Sequence, residues 1–340
     1  MNPFRFSKLL FIVLVFAFAA FQVQAIEPTA TAVPPAEATP EATAVIVDSI
    51  PSGSPLTLLW QTGGSPDEIL HSPDPGHLAV DAQGNVFVAE ALAIREFDAD
   101  GKFVMVWGKA GFSEGEFQNT QGIGLDAQGN VYVADFGNVV VEKFDRAGNY
   151  LTEWATESPA GPSGLAVDAQ GNVYVANHRT HDHYIQKFDG NGQLLAEWGS
   201  TGSGDGQIMA GPRSGPGNIA VDQEGNLYVV DAGNNRIEKF DSDGNFLAQF
   251  GTFGPQGNGQ FHVPDAMTVD RQGNIYVVDS NFIQKFDSHG NILAEWSKAG
   301  ELKNTRQILV DDQDNLYVLA DGAVHSIVIN NMVIKKFRQS

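Results

Sequence analysis

Between Leu56 and Phe337 apolar and polar positions alternate in short runs with a period of two, the pattern of strands that turn one face inward, and no stretch carries a helical period. The clearest unit runs from Val221 to Gly251, VDQEGNLYVVDAGNNRIEKFDSDGNFLAQFG. Four strands are predicted in it: a before Asp222, b over the LYVV run, c over RIEKF and d over FLAQF. The a-to-b link (DQEGN) and the c-to-d link (DSDGN) are short. Each holds a glycine able to take positive φ beside Asp and Asn side chains that can hydrogen-bond the turn, so the strands are expected to form an antiparallel meander.

The unit recurs. Its first turn reads VDAQGN at Val80, LDAQGN at Leu125, VDAQGN at Val167, VDQEGN at Val221, VDRQGN at Val269 and VDDQDN at Val310, six copies, with Asp314 in place of the last glycine. Spacings of 41 to 54 residues between the leading aspartates fit a repeat in which one supersecondary unit stacks on the next. An aromatic closes strand c in every copy, at Phe97, Phe144, Phe188, Phe240, Phe286 and Phe337. Strand d closes on Trp107, Trp154, Trp198, Phe250 and Trp296, one short of the full column, and Trp60 near the start supplies the missing member. The reading is an all-β, six-bladed β-propeller of four-stranded antiparallel blades. Its last blade is closed by the N-terminal strand, which pairs near Ile334 to Phe337 and leaves no sheet edge open.

These residues reach a family. The strings NIAVDQEGNLYVVDAGNNRIEKFDSDGNFL, from Asn218, and GQFHVPDAMTVDRQGNIYVVDS, from Gly259, closely resemble NHL repeats, and the resemblance extends over roughly Leu56 to Phe337. It implies a six-bladed propeller, in agreement with the count. The fourth copy alone keeps the family's full D-x-x-N-x-R, at Asp231, Asn234 and Arg236, and Asp314 departs from the turn glycine. Peptide-amidating lyases are propellers of this type, and the resemblance implies zinc-binding histidines five residues before the repeat Asp. Those positions here are Gly76, Gln121, Ser163, Gly217, Asp265 and Arg306, so that chemistry is not expected.

The ends of the chain read differently. Arg5 and Lys8 precede the apolar run from Leu9 to Phe21, and VQA at Val23 to Ala25 suits a signal peptidase, so 1–25 is expected to be a signal peptide cleaved near Ala25. A retained membrane anchor is the alternative. Residues 26–55, rich in Ala, Thr, Pro and Glu, are expected to be a disordered linker: either a stalk that associates the propeller with a cell surface or a spacer with no further role. Residues 56–340 form the propeller. The chain has no cysteine, which excludes disulfides and a lipoprotein anchor. Its formal charge of −21 argues against nucleic acid as a partner.

In a meander the a-to-b and c-to-d turns share one face of the ring, and the b-to-c and inter-blade loops share the other. The near-identical turns mark the first face as structural; the variable loops mark the second as the place for function. Strand b ends there in Glu90, Asp135, Asn177, Asp231 and Asp279, with Ala320 in the last copy. Together with Arg236 these could face a ligand or hold a cation; the alternative is that each carboxylate caps its own loop or pairs locally. His178, His181 and His183 lie within six residues and could ligate zinc or copper, against the alternative of solvated loop residues. The strings DADG at Asp98 and DSDG at Asp241 look like the start of a calcium loop but occupy hairpin turns and lack the distal Glu. The resulting expectation is an exported, monomeric, non-enzymatic module with no resident cofactor, which binds a protein or a cell-envelope glycan through the variable face. The alternative is a metal-assisted lyase or hydrolase with a site at the axial mouth.

Overall fold

The computed structural model describes residues 56–61, 77–156, 161–177, 185–209, 218–254, 257–280, 282–299, 302–321 and 332–339. The expected signal peptide (1–25) and linker (26–55) lie outside the described residues, as do His178, His181 and His183. No helix among the described residues is long and apolar enough to cross a membrane.

The six expected meanders form. Blade 1 comprises Leu78–Val80, Val86–Glu90, Ala93–Phe97 and Phe103–Trp107; blade 2, Thr120–Leu125, Val131–Asp135, Val140–Phe144 and Tyr150–Ala155. Blade 3 comprises Pro162–Val167, Val173–Asn177, Ile185–Phe188 and Leu194–Trp198; blade 4, Ile219–Val221, Leu227–Asp231, Arg236–Phe240 and Phe246–Phe250. Blade 5 comprises Ala266–Val269, Ile275–Val278, Phe282–Phe286 and Ile292–Ser297. In blade 6, Gln307–Val310, Asn315–Asp321 and Met332–Gln339 are completed by the first strand of the described chain, Leu56–Gln61. That strand runs antiparallel to strand c, with Leu58 opposite Phe337 and Trp60 opposite Lys336 across a bulge. The core consists of six apolar clusters, one between each pair of neighbouring blades, and the cluster shared by blades 6 and 1 (Tyr317, Leu319, Ile334, Leu78, Val88, Phe97) closes the ring.

The turn face is one network written repeatedly. In every a-to-b turn the Asp Oδ1 accepts the N–H groups two and four residues on, and Oδ2 accepts the Asn side chain at the fourth position, at 2.7–3.0 Å. The buried tyrosine of strand b donates its hydroxyl to the same carboxylate in blades 2 to 6. Over each of these rings lies the lysine that precedes the strand c phenylalanine, 4.8–5.1 Å from the centroid. Two of these lysines also clamp the next blade: Lys143 Nζ donates to Gly190 O and Lys187 Nζ to Ser242 O. Blade 1 has Phe87 and Glu96 at the tyrosine and lysine positions, and a cation from blade 2 compensates. Arg146 lies 4.8 Å over Phe87 and pairs with Glu96 and Asp81 at 2.8 and 3.0 Å.

Asp314, the departure from the turn glycine, adopts φ +60°, a conformation that Asp tolerates better than most residues, and the last turn keeps its geometry. The c-to-d glycines carry a second constraint. A Cβ on Gly192 or Gly244 would sit 2.6 Å from the ring of Trp154 or Trp198 in the preceding blade. The aromatic column of strand d is therefore the surface on which the next blade's turn rests.

Candidate functional site

On the opposite face, the inter-blade loops before blades 2, 4 and 5 share one construction. In each, a G-[EQ]-[FI] string brings a two-residue parallel pairing or bridge to a fully buried apolar anchor: Phe117, Ile208 or Phe261. The side chains expected to form a carboxylate ring hold these loops. Asp135 is fully buried and accepts the N–H groups of Gln118 and Asn119 from the loop and of Gly137 and Asn138 from its own b-to-c turn, at 2.9–3.2 Å. Asp231 accepts Met209 N–H at 2.9 Å, Asn234 Nδ2 at 2.7 Å and Arg236 Nε at 2.8 Å. Asp279 accepts the N–H groups of His262 and Val263. The acidic charge here is satisfied largely by backbone donors, as buried polar groups require.

Glu90 and Asn177 precede loops of other sequence and are used differently. Glu90 pairs with Arg95 at 3.1 Å with both side chains buried, and Asn177 Nδ2 donates to Gln186 Oε1 at 3.0 Å. The structure thus places Glu90, Asp135, Asn177 and Asp231 at the end of strand b, Asp279 just after it and Arg236 at the start of strand c, each engaged within its own blade and, in blades 2, 4 and 5, with the loop before it.

A second column, not singled out from the sequence, works beside the first. Two residues before the strand c phenylalanine stand Glu142, Glu238 and Gln284, all fully buried. Glu142 Oε2 accepts Gly115 N–H at 2.8 Å, and Gln284 accepts Gly259 N–H and donates to Gln260 O. Burial, reinforced by Asp135 and Glu153, pushes the Glu142 carboxyl up to about 8. Burial also raises Glu238, only to about 7, because the Arg236 guanidinium opposes it from 2.8 Å. The readable signal was an acidic or amide residue at this position wherever the preceding loop ends in G-[EQ]-[FI].

Three other features face this side. Phe112 and Phe253, on the loops before blades 2 and 5, are 83% and 66% exposed, and Leu92, Met209 and Val263 are partly exposed beside strand ends and loops. The Phe253 ring packs on His262 with centroids 5.7 Å apart. Between blades 5 and 6, Lys298 Nζ donates to Asp279 O at 3.1 Å; burial holds its ammonium below the ordinary lysine range, with Asp265, Asp279 and Arg306 near enough to act on it. His77, before strand a of blade 1, is lowered by burial to about 4. The described residues contain no group of three or more His, Asp or Glu arranged to hold a metal ion.

Comparison with known proteins agrees with the repeat and the ring. The NHL repeat family profile matches residues 160–188 and 214–240. The chain is 29% identical over 150 residues to Protein brain tumor of Drosophila melanogaster, which covers 43% of this chain and 14% of that protein. The chain therefore spans about a seventh of that relative's length. Among solved structures, virginiamycin B lyase from Staphylococcus aureus superimposes with a TM-score of 0.58 at 13% identity, over 83% of this chain and 99% of the lyase. A gluconolactonase from Xanthomonas campestris does so with a TM-score of 0.58 at 17% identity, over 85% of this chain and 97% of the enzyme. At such identities the likeness shows the fold alone. The chain is thus a six-bladed β-propeller that carries NHL repeats, matched in blades 3 and 4.

Proposed function

We propose that this propeller is an exported binding module whose loop face takes a protein ligand. The observation that carries the reading is the exposure of Phe112 and Phe253 on loops whose backbones are held from beneath by buried carboxylates. Large apolar side chains presented on pre-ordered backbone are the usual anchors of protein recognition, because little ordering cost remains to be met on binding. Export rests on the Arg5, Lys8 and Leu9 to Phe21 pattern, and the mature N-terminus is expected just after Ala25. Mass spectrometry of the protein recovered outside the cytoplasm tests that point; an intact Met1 would refute it. For the binding face, the Phe112→Asp, Phe253→Asp double variant should keep its melting temperature and lose the ligands that the parent retains from the extracellular fraction. Unchanged retention would refute the assignment of the face.

A lyase or hydrolase reading is favoured by one feature, the suppressed Lys298 ammonium beside Asp265 and Arg306. It requires that Lys298→Met abolish a turnover that the phenylalanine variant leaves intact. A glycan ligand would instead be expected to survive the loss of both phenylalanines only if it binds at this polar end.

A further inference from the structure

Blades 2 and 4 are built alike around their b-to-c loops, DFGNVV against DAGNNR, and of the three positions that differ two are adjacent, Val139 and Val140 against Asn235 and Arg236. In blade 4, Arg236 fills the space between strand c and the preceding loop. Its Nε meets Asp231 Oδ2 at 2.8 Å, its Nη1 meets Ser203 O at 3.0 Å, and its Nη2 meets Gly204 O and Gln207 O at 2.8 and 2.7 Å. Gln249 Oε1 and Glu238 complete the cage.

Every one of these acceptor positions has a counterpart in blade 2: Asp135 for Asp231, Glu142 for Glu238, Glu153 for Gln249, and the backbone at Phe112, Ser113 and Glu116 for Ser203, Gly204 and Gln207. The loop geometry is shared, since Asn138 Nδ2 donates to Gly111 O as Asn234 Nδ2 donates to Gly202 O. Ser113 O accepts Glu116 N–H as Gly204 O accepts Gln207 N–H. Val140 stands where blade 4 has Arg236, and the asparagine amide shifts with it: Asn138 Nδ2 donates to Glu116 O at 3.0 Å, on the oxygen equivalent to the one Arg236 uses, where Asn234 Nδ2 donates to Asp231 Oδ2.

Two observations show that blade 2 is not merely a relaxed version of blade 4. Glu142 is fully buried and, among the described residues, its Oε1 has no hydrogen-bond partner, which at this depth is costly. Val139 holds φ +62°, where the equivalent residue is Asn235 at +56°. A β-branched residue in the left-handed region is strained, and such strain concentrates at functional sites.

We propose that the pocket of blade 2 formed by Asp135, Glu142, Glu153 and the loop at 112–116 binds a guanidinium group supplied by a ligand, in the place that Arg236 occupies in blade 4. A guanidinium is favoured over an ammonium because the template site presents acceptors to all three of its nitrogens, which a point charge cannot use. The ligand reaches the pocket past Glu153 and Phe112, both exposed. The groups that set its charge are Asp135 at the end of strand b, Glu153 on strand d and Glu142 itself. Glu114 on the loop adds to the field that, after burial, raises Tyr150 to about 12; Glu116 is already paired with Lys109 at 2.9 Å. Binding needs Glu142 ionised, so affinity should increase as pH rises from 6 to 8.5.

A small guanidinium compound and an arginine side chain share this chemistry, so the pocket does not require a protein ligand. The test is thermal melting and calorimetry of the mature full chain with methylguanidinium chloride at non-denaturing concentration, beside methylammonium and calcium chloride. A saturable rise in melting temperature with methylguanidinium alone is expected. Glu142→Gln should weaken the affinity at least tenfold, and Val140→Arg should melt higher than the parent and show no response. A parent response no larger than that of Val140→Arg, or of Glu142→Gln should the arginine variant not fold, would overturn the proposal. So would a calcium response that the same substitutions abolish. An acetylated Gly-Arg-Gly amide that binds at least tenfold more tightly than methylguanidinium assigns the site to a peptide partner. Equal affinities assign it to a small guanidinium compound.

Discussion

At the turn face Asp168 accepts two backbone N–H groups, an asparagine amide and a tyrosine hydroxyl, and its five counterparts serve turns of nearly the same sequence. At the loop face Asp135, Asp231 and Asp279 are equally buried and also accept backbone N–H groups, yet the loops they hold share little beyond a glycine and a buried anchor. One carboxylate chemistry thus supports a fixed face and a variable face. The difference lies in where the donors come from. A turn aspartate takes these donors from within six residues, so its site forms wherever the local string is present. A loop aspartate binds donors 16 to 22 residues away, so its site exists only when two blades are already stacked. Variation on the loop face is therefore tolerated as long as the anchors persist, and variation on the turn face is not.

The loop-face network is disrupted most by loss of Arg236. Arg236→Ala should lower stability by about 3–5 kcal/mol, because it leaves Asp231 and Glu238 buried without their cation. Urea denaturation measures it, and a loss under about 1 kcal/mol would mean that the loop-face network contributes little. The next effect, on the order of a few kcal/mol, is one of pH. Glu142 and Glu238 hold their protons to about 8 and about 7 in the folded chain, above the ordinary glutamate value. Folded protein then binds more protons than unfolded protein between roughly pH 4.5 and 8, and their contribution to stability falls as pH rises through that window. Glu142→Gln should flatten the slope most at its upper end; an unchanged profile would show that these carboxyls ionise freely.

A smaller effect is expected at the turn face. Gly171 has φ +81° and nothing within 4 Å of a Cβ built on it, so Gly171→Val should cost only the backbone strain, about 1–3 kcal/mol. Gly244→Val should cost more, since its Cβ would meet the Trp198 ring, and equal losses would show that the aromatic column does not support the turns. Smallest of all, Phe112→Ser should shift stability by no more than about 0.5 kcal/mol while weakening ligand binding. A large loss of stability would place Phe112 in the core rather than at the rim.

The fold was readable because its determinants are local. The Asp-to-Asn turn strings, the phenylalanine closing strand c and the tryptophan column each recur within a single copy, and Trp60 pointed to the strand that completes blade 6. Four ends of strand b, Glu90, Asp135, Asn177 and Asp231, fall where expected, while the strands expected to end at Asp279 and Ala320 end at Val278 and Asp321. Their partners were not readable: Glu142 meets Gly115 and Arg236 meets Ser203 across 27 and 33 residues, and such contacts leave no period in one copy. Arg146 is the sharpest case, since its role becomes visible only when Phe87 and Glu96 are seen to break the tyrosine and lysine columns of blade 1. Comparing copies position by position would have exposed it, because a departure in one blade must be compensated from a neighbour.

The pairing of Leu58 with Phe337 also sets an order of events during synthesis. Blades 1 to 5 each use contiguous sequence and can form as the chain emerges. The strand Leu56–Gln61 leaves the ribosome first and must wait for the last strand before it has a partner. Closing so long a loop adds little to the equilibrium cost, which grows only by about 0.6 kcal/mol per doubling of length, but contacts between distant segments form slowly. Until then blade 6 is incomplete and presents an unpaired strand edge, the state most prone to join another copy edge to edge. Chains cut short before Met332 are trapped in that state, and aggregation rather than reduced affinity is the expected fate of such truncations.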